Sequence, residues 1–567
     1  MDDVDAVQAQ IARTMLVSGD WVTARIDGLV YLEKSPFIYW AMATSYKLFG
    51  AHDWSARIPV ALAAIGLAAL TTAMGVWAFG NRAGFYAGLG IATCTGLFLF
   101  TRIQIPDVIL TLDIALTLWA FLRVLDEDEP HPRAWAIVMA ACLGAGLLIK
   151  SLVSVLFPVA TVVIYLAVTR QLFVARTWKR LHPFTGALIA VAIAAPWHIL
   201  AMLRNPPYFA WTFHSGPHQY HGFFWKYFIN EQVLRFLNRR YPRDYDTVPR
   251  LWFWLLHLVW LFPWSVYFPA VAKLSFKPVD REGRMRLLAV IWAGFVMVFF
   301  TFSTTQEYYS MPIYPALALL LGSAMAMGGD WVRRGTRVLA VVAGAAAIAV
   351  IVILVLVHGV ATPGDIASAL VRDPRGAKLS MGPMLDLRLQ TFAYLRTPLV
   401  MAGIAFLIGA IASAKAIGQR AYLGAALMMV LLLHAARVAM VTFDPFLSSE
   451  PLAEALMKAP PGELMAQGHY YEYSSVFFYA NRTALLTTPY ERRQNLEYGA
   501  NAPGAPHVFI DDREFKNLWE SPERVYFIVG VGHLPEYQAI VGADAFQTVA
   551  ETGAKYLMTN HPLPSAP

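Results

Sequence analysis

Several acidic side chains of the sequence stand directly beside apolar stretches, at Asp3, Asp5, Glu33 and Asp107. A carboxylate at the edge of an apolar segment loses hydration unless it is paired or used, so these acids are the first candidates for chemistry. An ionised carboxylate can accept a proton from a reacting hydroxyl group. Each acid also has a structural interpretation, since a carboxylate at a helix N-terminus accepts hydrogen bonds from free backbone N–H groups.

Basic side chains supply the complementary chemistry. Lys34 follows Glu33 directly, and Lys150 ends another apolar run. The segment 204–250 is rich in arginine, with Arg235, Arg239, Arg240, Arg243 and Arg250. Because the planar guanidinium group is suited to phosphate and carboxylate, this cluster predicts an anionic ligand, and contact with anionic lipid headgroups is the alternative. Glu231 lies within the cluster, and Tyr308 and Tyr309 are expected on the same face.

Three histidines, His214, His218 and His221, lie in the same segment. Such spacing could hold a metal ion, but no acid or cysteine pattern completes a recognisable site. The sequence therefore predicts no metal or other cofactor, although a divalent metal stays possible. The two cysteines, Cys94 and Cys142, lie in apolar stretches and are expected to be buried thiols.

The composition requires a membrane environment for the elements that position these residues. Of the 567 residues, 57% are hydrophobic and 15% are charged, and the mean hydropathy is +0.48. The net charge is +7, and the basic residues lie in short loops between apolar runs. Membrane topology explains this distribution better than nucleic-acid binding does.

About twelve apolar runs have spanning length and predict an all-α polytopic protein. They are 57–79, 83–101, 107–124, 134–149, 152–169, 183–203, 251–272, 287–303, 309–327, 337–359, 395–414 and 420–440. Alternate loops carry most of the other Lys and Arg residues, which predicts that those loops are cytoplasmic. The opposite, periplasmic side then receives most of the polar chain.

Three parts of the chain follow from this topology. Residues 1–56 are predicted to be a periplasmic catalytic loop with interfacial helices at 5–17 and 35–49. Residues 57–440 form the membrane domain with the periplasmic loop 204–250. Residues 441–567 mix short β-like runs with helical stretches and predict a small periplasmic α/β domain. Because periplasmic residues open the sequence, we expect one further span ahead of them, and a cleaved signal sequence is the alternative.

Several motifs resemble the bacterial members of the C-type glycosyltransferase superfamily, which are related to protein O-mannosyltransferases and to the aminoarabinose transferase of lipid A. They are ARTMLVSGDWVT at 12–23, GLVYLEKSP at 28–36, LFGAHDWSARIP at 48–59, PD at 106–107, LIK at 148–150, NEQVLRF at 230–236 and YSMPIYP at 309–315. They occur in order over about 300 residues. Beyond residue 330 the similarity is one of hydropathy only.

The resemblance implies about thirteen spans and a first outer loop that carries the reaction-centre acid. Members of the family place an Asp-Glu pair where this sequence has Val4-Asp5, so Asp5 or Asp3 is expected to take that role, aided by Asp107. Two further positions depart from the aminoarabinose enzymes. Their Glu-His reads Glu231-Gln232 here, and their lysine before the tyrosine turn is replaced at Thr304-Thr305.

The function implied is transfer of a sugar from a polyprenyl-phosphate donor to a lipid, glycan or protein acceptor, with inversion, at the periplasmic face of the bacterial inner membrane. Glu33, Lys34, Lys150, Glu231, Arg235, Arg239, Arg240, Tyr308 and Tyr309 are expected to bind the substrate. Membrane lipids are the other expected partners, and nucleic acid is not. Two alternatives are a transporter or flippase of lipid-linked glycans and a non-catalytic glycan-binding protein.

Overall fold

The structure is a computed structural model that describes residues 1–564 except 217, 243–246, 304, 365, 367–388 and 417. Arg243 and Thr304, which the sequence singled out, and most of the loop 360–394 lie outside the described residues.

Helices dominate the first 442 residues. In chain order they are α1 (Asp3–Ser18), α2 (Phe37–Phe49), α3 (Asp53–Phe79), α4 (Asn81–Ala92), α5 (Thr95–Phe100), α6 (Asp107–Leu125), α7 (Pro132–Lys150), α8 (Val153–Val168), α9 (Ala175–Leu181), α10 (Pro183–Arg204), α11 (Gly222–Phe224), α12 (Arg250–Leu255), α13 (His257–Trp260), α14 (Phe268–Val271), α15 (Arg281–Thr301), α16 (Tyr314–Met327), α17 (Asp330–Leu356), α18 (Leu389–Tyr394), α19 (Arg396–Lys415) and α20 (Gln419–Thr442). A π-helix covers Trp225–Leu234, and 3₁₀ turns cover Trp264–Tyr267 and Glu307–Ile313.

The protein is a mostly helical polytopic membrane protein, with fewer candidate spans among its described residues than the twelve predicted. Within the described residues, nine helices are long and apolar enough to cross a membrane, and the pair Arg250–Trp260 and Trp264–Val271 makes a tenth if it is one bent span. That pair bends by 100°. The apolar run 83–101 is interrupted between α4 and α5, and α8 has only 16 residues. Hydropathy detects apolar runs but not the helix breaks within them, so it predicted more spans than there are described helices of spanning length.

The segments predicted to share one side of the membrane meet at one end of the helices. The helices α1 and α2 pack on each other, and α2 packs on α3. A short hairpin of β1 (Arg25–Ile26) and β2 (Leu29–Val30) lies between α1 and α2. The interfacial segments 5–17 and 35–49 are helical, as predicted.

The C-terminal part is a small mixed domain around a five-stranded sheet, as the β-like runs predicted. Its strands are β3 (Glu463–Ala466), β4 (Leu485–Leu486), β5 (Val525–Gly530), β6 (Gln547–Thr552) and β7 (Lys555–Thr559), in the order β4-β3-β5-β7-β6. Its helices are α21 (Asp444–Leu447), α22 (Glu450–Lys458), α23 (Ser474–Ala480), α24 (Leu496–Ala500), α25 (Asp512–Trp519) and α26 (Leu534–Val541). The first three strands run parallel and β7 is antiparallel to both neighbours.

Asp3 attaches this domain to the first helix. Its carboxylate accepts from Lys555 Nζ at 2.6 Å, from Ser449 Oγ at 2.9 Å and from the backbone N–H of Ser475 at 2.9 Å. Asp3 is buried, so these bonds hold a charge out of water. The helix cap predicted for Asp3 or Asp5 is made instead by Asp2, whose side chain accepts from the N–H groups of Val4 and Asp5.

Candidate active site

A cavity of about 200 Å³ lies where the first loop meets the ends of the long helices. Its wall includes eight of the residues that the sequence predicted for catalysis or substrate binding. They are Glu33, Lys34, Asp107, Lys150, Glu231, Arg235, Tyr308 and Tyr309. The cavity therefore combines acids, cations and phenols that come from five separate parts of the chain.

Glu33 is the centre of a buried ion-pair network. Its carboxylate lies 3.1 Å from Lys226 Nζ and 3.1 Å from Arg240 Nη2. Arg240 also contacts Glu231 at 2.6 Å, and Glu231 contacts Arg235 Nη1 at 2.9 Å. Burial raises the pKa of Glu33, but Lys226 and then Arg240 more than offset this and hold that pKa well below its ordinary value. Glu33 is consequently an ionised, structurally fixed acid.

Lys34 lies beside this network without being part of it. Its side chain lines the cavity, and it forms no ion pair with any residue that the structure describes. Burial, followed by the nearby positive charge of Arg235, lowers the pKa of Lys34 from its ordinary 10.5. A cation that is partly desolvated and repelled by another cation gains most when an anion binds.

Arg235 presents a second cation to the same cavity. Its Nη2 donates to Tyr309 Oη at 2.8 Å, while its Nη1 contacts Glu231. The π-helix carries Glu231, and Arg235 directly follows its last residue; both side chains line the cavity. Lys34 and Arg235 together can hold a phosphate group, because like charges in one cavity favour a bound anion.

Asp107 opens α6 and lies at 2.5 Å from Lys150 Nζ, the last residue of α7. The packing of α6 on α7 brings the two together. Asp107 Oδ1 accepts the hydrogen bond from Lys150, whereas Oδ2 is buried without a hydrogen-bond partner among the described residues. Lys150 Nζ also lies 5.2 Å from the Tyr309 ring centre. Asp107 is therefore an acid at the cavity that pairs through Oδ1 and leaves Oδ2 without a described hydrogen-bond partner.

Asp5 lies behind the cavity wall. Its Oδ2 contacts Arg57 Nη2 at 2.9 Å, and its Oδ1 accepts from the backbone N–H of Gln104 at 2.8 Å. Gln104 and Gln8 line the cavity, so Asp5 holds the turn that forms part of the wall. The structure brings Asp5 near the site through Gln104 and not by a lining side chain.

Asp3 and Arg239 are not brought to the cavity. Asp3 is bound to Lys555 of the C-terminal domain, and Arg239 is exposed just after the π-helix. Arg240 is buried behind Glu33 and Glu231, where it supports the wall but does not line the cavity.

Part of the cavity lining is apolar. Phe157, Phe236, Phe299 and Phe300 line the cavity together with aliphatic residues. The rings of Phe236 and Phe299 have centres 5.0 Å apart, and those of Phe157 and Phe299 are 5.2 Å apart. These aromatic residues suit a hydrocarbon chain, whereas the charged lining residues suit an anionic group.

The three loop histidines do not converge. The ring of His218 stacks on Tyr490 with centres 4.1 Å apart, and His221 contacts Gln219. In the part of the chain that the structure describes, no group of three His, Cys, Asp or Glu side chains is arranged to hold a metal ion.

Two residues of the network, Lys226 and Asn495, were not predicted from the sequence. Lys226 is a lone charge within the aromatic run 223–228, which was a visible signal of a buried partner. Asn495 donates to Glu33 Oε2 at 3.4 Å from the C-terminal domain. No local pattern links Asn495 to Glu33, because only the tertiary fold brings them together.

Comparison with known proteins finds similar sequences and a similar fold. Residues 33–200 match the family described as dolichyl-phosphate-mannose-protein mannosyltransferase. An undecaprenyl phosphate-alpha-4-amino-4-deoxy-L-arabinose arabinosyl transferase of Aeromonas salmonicida is 28% identical over 381 residues, which are 64% of each chain. The enzyme of that name from Pseudomonas aeruginosa strain PAO1 is 28% identical over 58% of this chain and 57% of its own length. The matched region thus covers less than two thirds of these relatives.

The fold is that of a solved relative. A crystal structure of ArnT from Cupriavidus metallidurans bound to undecaprenyl phosphate superposes with a TM-score of 0.77 and 22% identity, covering 98% of this chain and 93% of that one. Its apo structure gives a TM-score of 0.75. The resemblance drawn from the motifs, to C-type membrane glycosyltransferases of the mannosyltransferase and aminoarabinose transferase type, is confirmed.

Proposed function

Because the chain has the fold and the sequence motifs of C-type membrane glycosyltransferases, we propose that it transfers a sugar from a polyprenyl-phosphate donor to an acceptor at the periplasmic face of the bacterial inner membrane. The observation that carries this proposal is a cavity lined by both charged and apolar side chains. Lys34, Lys150 and Arg235 supply positive charge, and four phenylalanines supply apolar surface. A polyprenyl-phosphate sugar has a hydrocarbon chain that suits the phenylalanines and a phosphate that suits the cations.

The donor would bind with its chain along the phenylalanines and its phosphate near Lys34 and Arg235. The relatives named above carry undecaprenyl phosphate in their names or crystal structures, which supports a donor of this class. Preorganised cations in a water-poor site stabilise the charge that develops on a leaving phosphate.

Asp107 would act as the base. An acceptor hydroxyl attacks the anomeric carbon, the bond from that carbon to the phosphate oxygen breaks, and polyprenyl phosphate leaves with the electron pair. The acceptor proton passes to Asp107 Oδ2, which has no protein partner among the described residues. Attack opposite the leaving group inverts the anomeric centre. Lys150 pairs with Asp107 and would face the same phosphate.

Asp5 would support the turn Arg102–Asp107 through Gln104, and Asp3 would dock the C-terminal domain. This assignment narrows the three candidate acids to one base and two supporting residues. The sugar and the acceptor, whether lipid, glycan or protein, are left to experiment.

The test is sugar transfer by purified protein in lipid nanodiscs, with Asp107→Asn, Asp5→Asn and Asp3→Asn compared singly. We expect Asp107→Asn to lose transfer by about 100-fold or more while the donor still binds. Mass spectrometry of envelope glycolipids and glycoproteins, with and without the protein, identifies the acceptor. Full transfer by Asp107→Asn would refute its assignment as the base, and full transfer by all three variants would refute a catalytic role for any of these acids. An envelope with no missing sugar would favour a transporter.

A further inference from the structure

The segment 490–501 of the C-terminal domain packs against residues 218–226, the loop that leads into the π-helix. Tyr498 lies at the centre of this contact. Its Oη donates to the carbonyl of Gly222 at 2.8 Å and accepts from the backbone N–H of His221 at 3.0 Å. The domain thus binds the backbone directly ahead of the π-helix.

The ring of Tyr498 continues the contact into the ion-pair network. It stacks on Trp225 with centres 5.6 Å apart at 26°, and Lys226 Nζ lies 5.0 Å from its centre. A cation over an aromatic face is attracted to it, more strongly when it is desolvated. Lys226 is therefore held between the Tyr498 ring and Glu33.

Three neighbours of Tyr498 extend the same interface. Glu497 Oε1 accepts from the backbone N–H of His218 at 2.9 Å, and Asn495 Nδ2 donates to Glu33 at 3.4 Å. Gly499 lies so close to the hairpin that an added Cβ would collide with the carbonyl of Val30. The contact consequently joins 218–226, 29–33 and α24 into one packed unit.

We propose that this segment of the C-terminal domain, with Tyr498 as its main positioning residue, holds Lys226 on Glu33 so that Lys34 stays available to the donor phosphate. This inference rests on the proposed function and gives the C-terminal domain a role in it. If Lys226 were released, Glu33 would lose one of its two buried cations. The adjacent Lys34 would then be drawn toward Glu33, because an unpaired buried carboxylate is costly.

Removal of the contact should affect donor binding more than chemistry. Asp107 and Lys150 stand on α6 and α7, whereas the hydrogen bonds and ring contacts of Tyr498 described above are to residues 221–226. We expect Tyr498→Leu to raise the KM for the donor about tenfold and to change kcat little. Tyr498→Phe keeps the ring over Lys226 and should show a smaller rise. A general loss of folding would lower kcat as well.

The test uses the full chain in nanodiscs, with two measurements that do not need turnover. Hydrogen–deuterium exchange of 218–241 reports the loop, and titration with undecaprenyl phosphate reports the phosphate site. Tyr498→Leu should speed exchange across 218–241, leave β5 protected, and weaken undecaprenyl phosphate binding about tenfold. Tyr556→Leu is the matched control, since Tyr556 lies on β7 away from the loop.

Two further variants keep the proposal testable if Tyr498→Leu fails to fold. Gly499→Ala should push α24 from the hairpin, and Asn495→Leu should remove the amide beside Glu33. Both are expected to give the same pattern in weaker form. Unchanged loop exchange and unchanged undecaprenyl phosphate binding in Tyr498→Leu would overturn the proposal. If exchange and binding change as expected but the wild-type protein transfers no sugar, the positioning role stands and the proposed function fails.

Discussion

Glu33 and Lys226 form an ion pair of 3.1 Å in which both side chains are almost fully buried. Glu33 comes from the loop between β2 and α2, and Lys226 comes from the π-helix. A buried pair of this kind contributes little net stability, but loss of one partner leaves an uncompensated charge. The pair therefore fixes the position of the loop between β2 and α2 relative to the π-helix.

Lys226→Met should destabilise the protein by about 3–5 kcal/mol, because it leaves Glu33 with Arg240 as its main buried cation. The double variant Lys226→Met with Glu33→Gln should recover part of that loss, since the orphaned charge is removed too. Thermal unfolding in detergent measures both. A double variant that is no more stable than Lys226→Met alone would contradict the coupling.

Lys34→Met should weaken donor binding without destabilising the fold. A hydrogen bond to a charged group contributes about 1.5–3 kcal/mol, so the donor KM should rise by about 10- to 100-fold. Lys47→Met is the matched control, because Lys47 is an exposed lysine on α2. Equal donor KM in the two variants would exclude Lys34 from the phosphate site.

Donor binding should also weaken as pH rises, at a lower pH than the deprotonation of an ordinary lysine would require. The pKa of Lys34 is lowered from 10.5, chiefly by burial, so its positive charge is present at low pH and lost as pH rises through this lowered value. Titration of undecaprenyl phosphate between pH 7 and pH 10 gives the profile. Lys34→Arg should move the fall to higher pH, since arginine stays charged. The same profile in both proteins would rule Lys34 out as its origin.

Asp107→Asn and Asp3→Asn should separate chemistry from docking. Asp107→Asn is expected to lower kcat strongly, whereas Asp3→Asn should lower the melting temperature by weakening the contacts with Lys555 and Ser475. At a temperature where the Asp3→Asn variant is still folded, it should keep most of the wild-type kcat. Parallel measurement of kcat and melting temperature gives the two effects, and a kcat loss confined to Asp3→Asn would reverse the roles.

Asp27 should make stability depend on pH. It is 8% exposed, its Oδ1 accepts from the N–H of Ala484, and burial raises its pKa from 3.8 to about 7. The folded protein therefore retains a proton that the unfolded chain releases. This stabilising contribution is complete below pH 3.8 and is lost as pH rises through about 7.

Melting temperatures between pH 5 and pH 8 test the Asp27 effect. The wild type should lose stability over this range, and Asp27→Asn should lose clearly less, because its amide does not titrate. Asp544→Asn is the control, since Asp544 is exposed. An identical decline in Asp27→Asn would place the pH dependence elsewhere.

The sequence alone determined the membrane environment, most of the long helices and the charged residues that line the cavity. Apolar runs of spanning length are local features, and an acid or cation beside such a run is costly unless it has a purpose. This is why Glu33, Lys34, Asp107 and Lys150 could be predicted without coordinates. The arginine-rich segment and the predicted topology added Glu231 and the two tyrosines.

Only the tertiary structure decided what each charge contacts. It separated Asp3, bound to Lys555, from Asp107, which lies at the cavity, although both are acids at the start of a helix. It also broke apolar runs that hydropathy counted as whole spans. The contact between Tyr498 and Lys226 joins residues far apart in sequence, and packing of the C-terminal domain creates it. Charge pairing depends on distances of a few ångströms, and local sequence patterns do not encode such distances between remote segments.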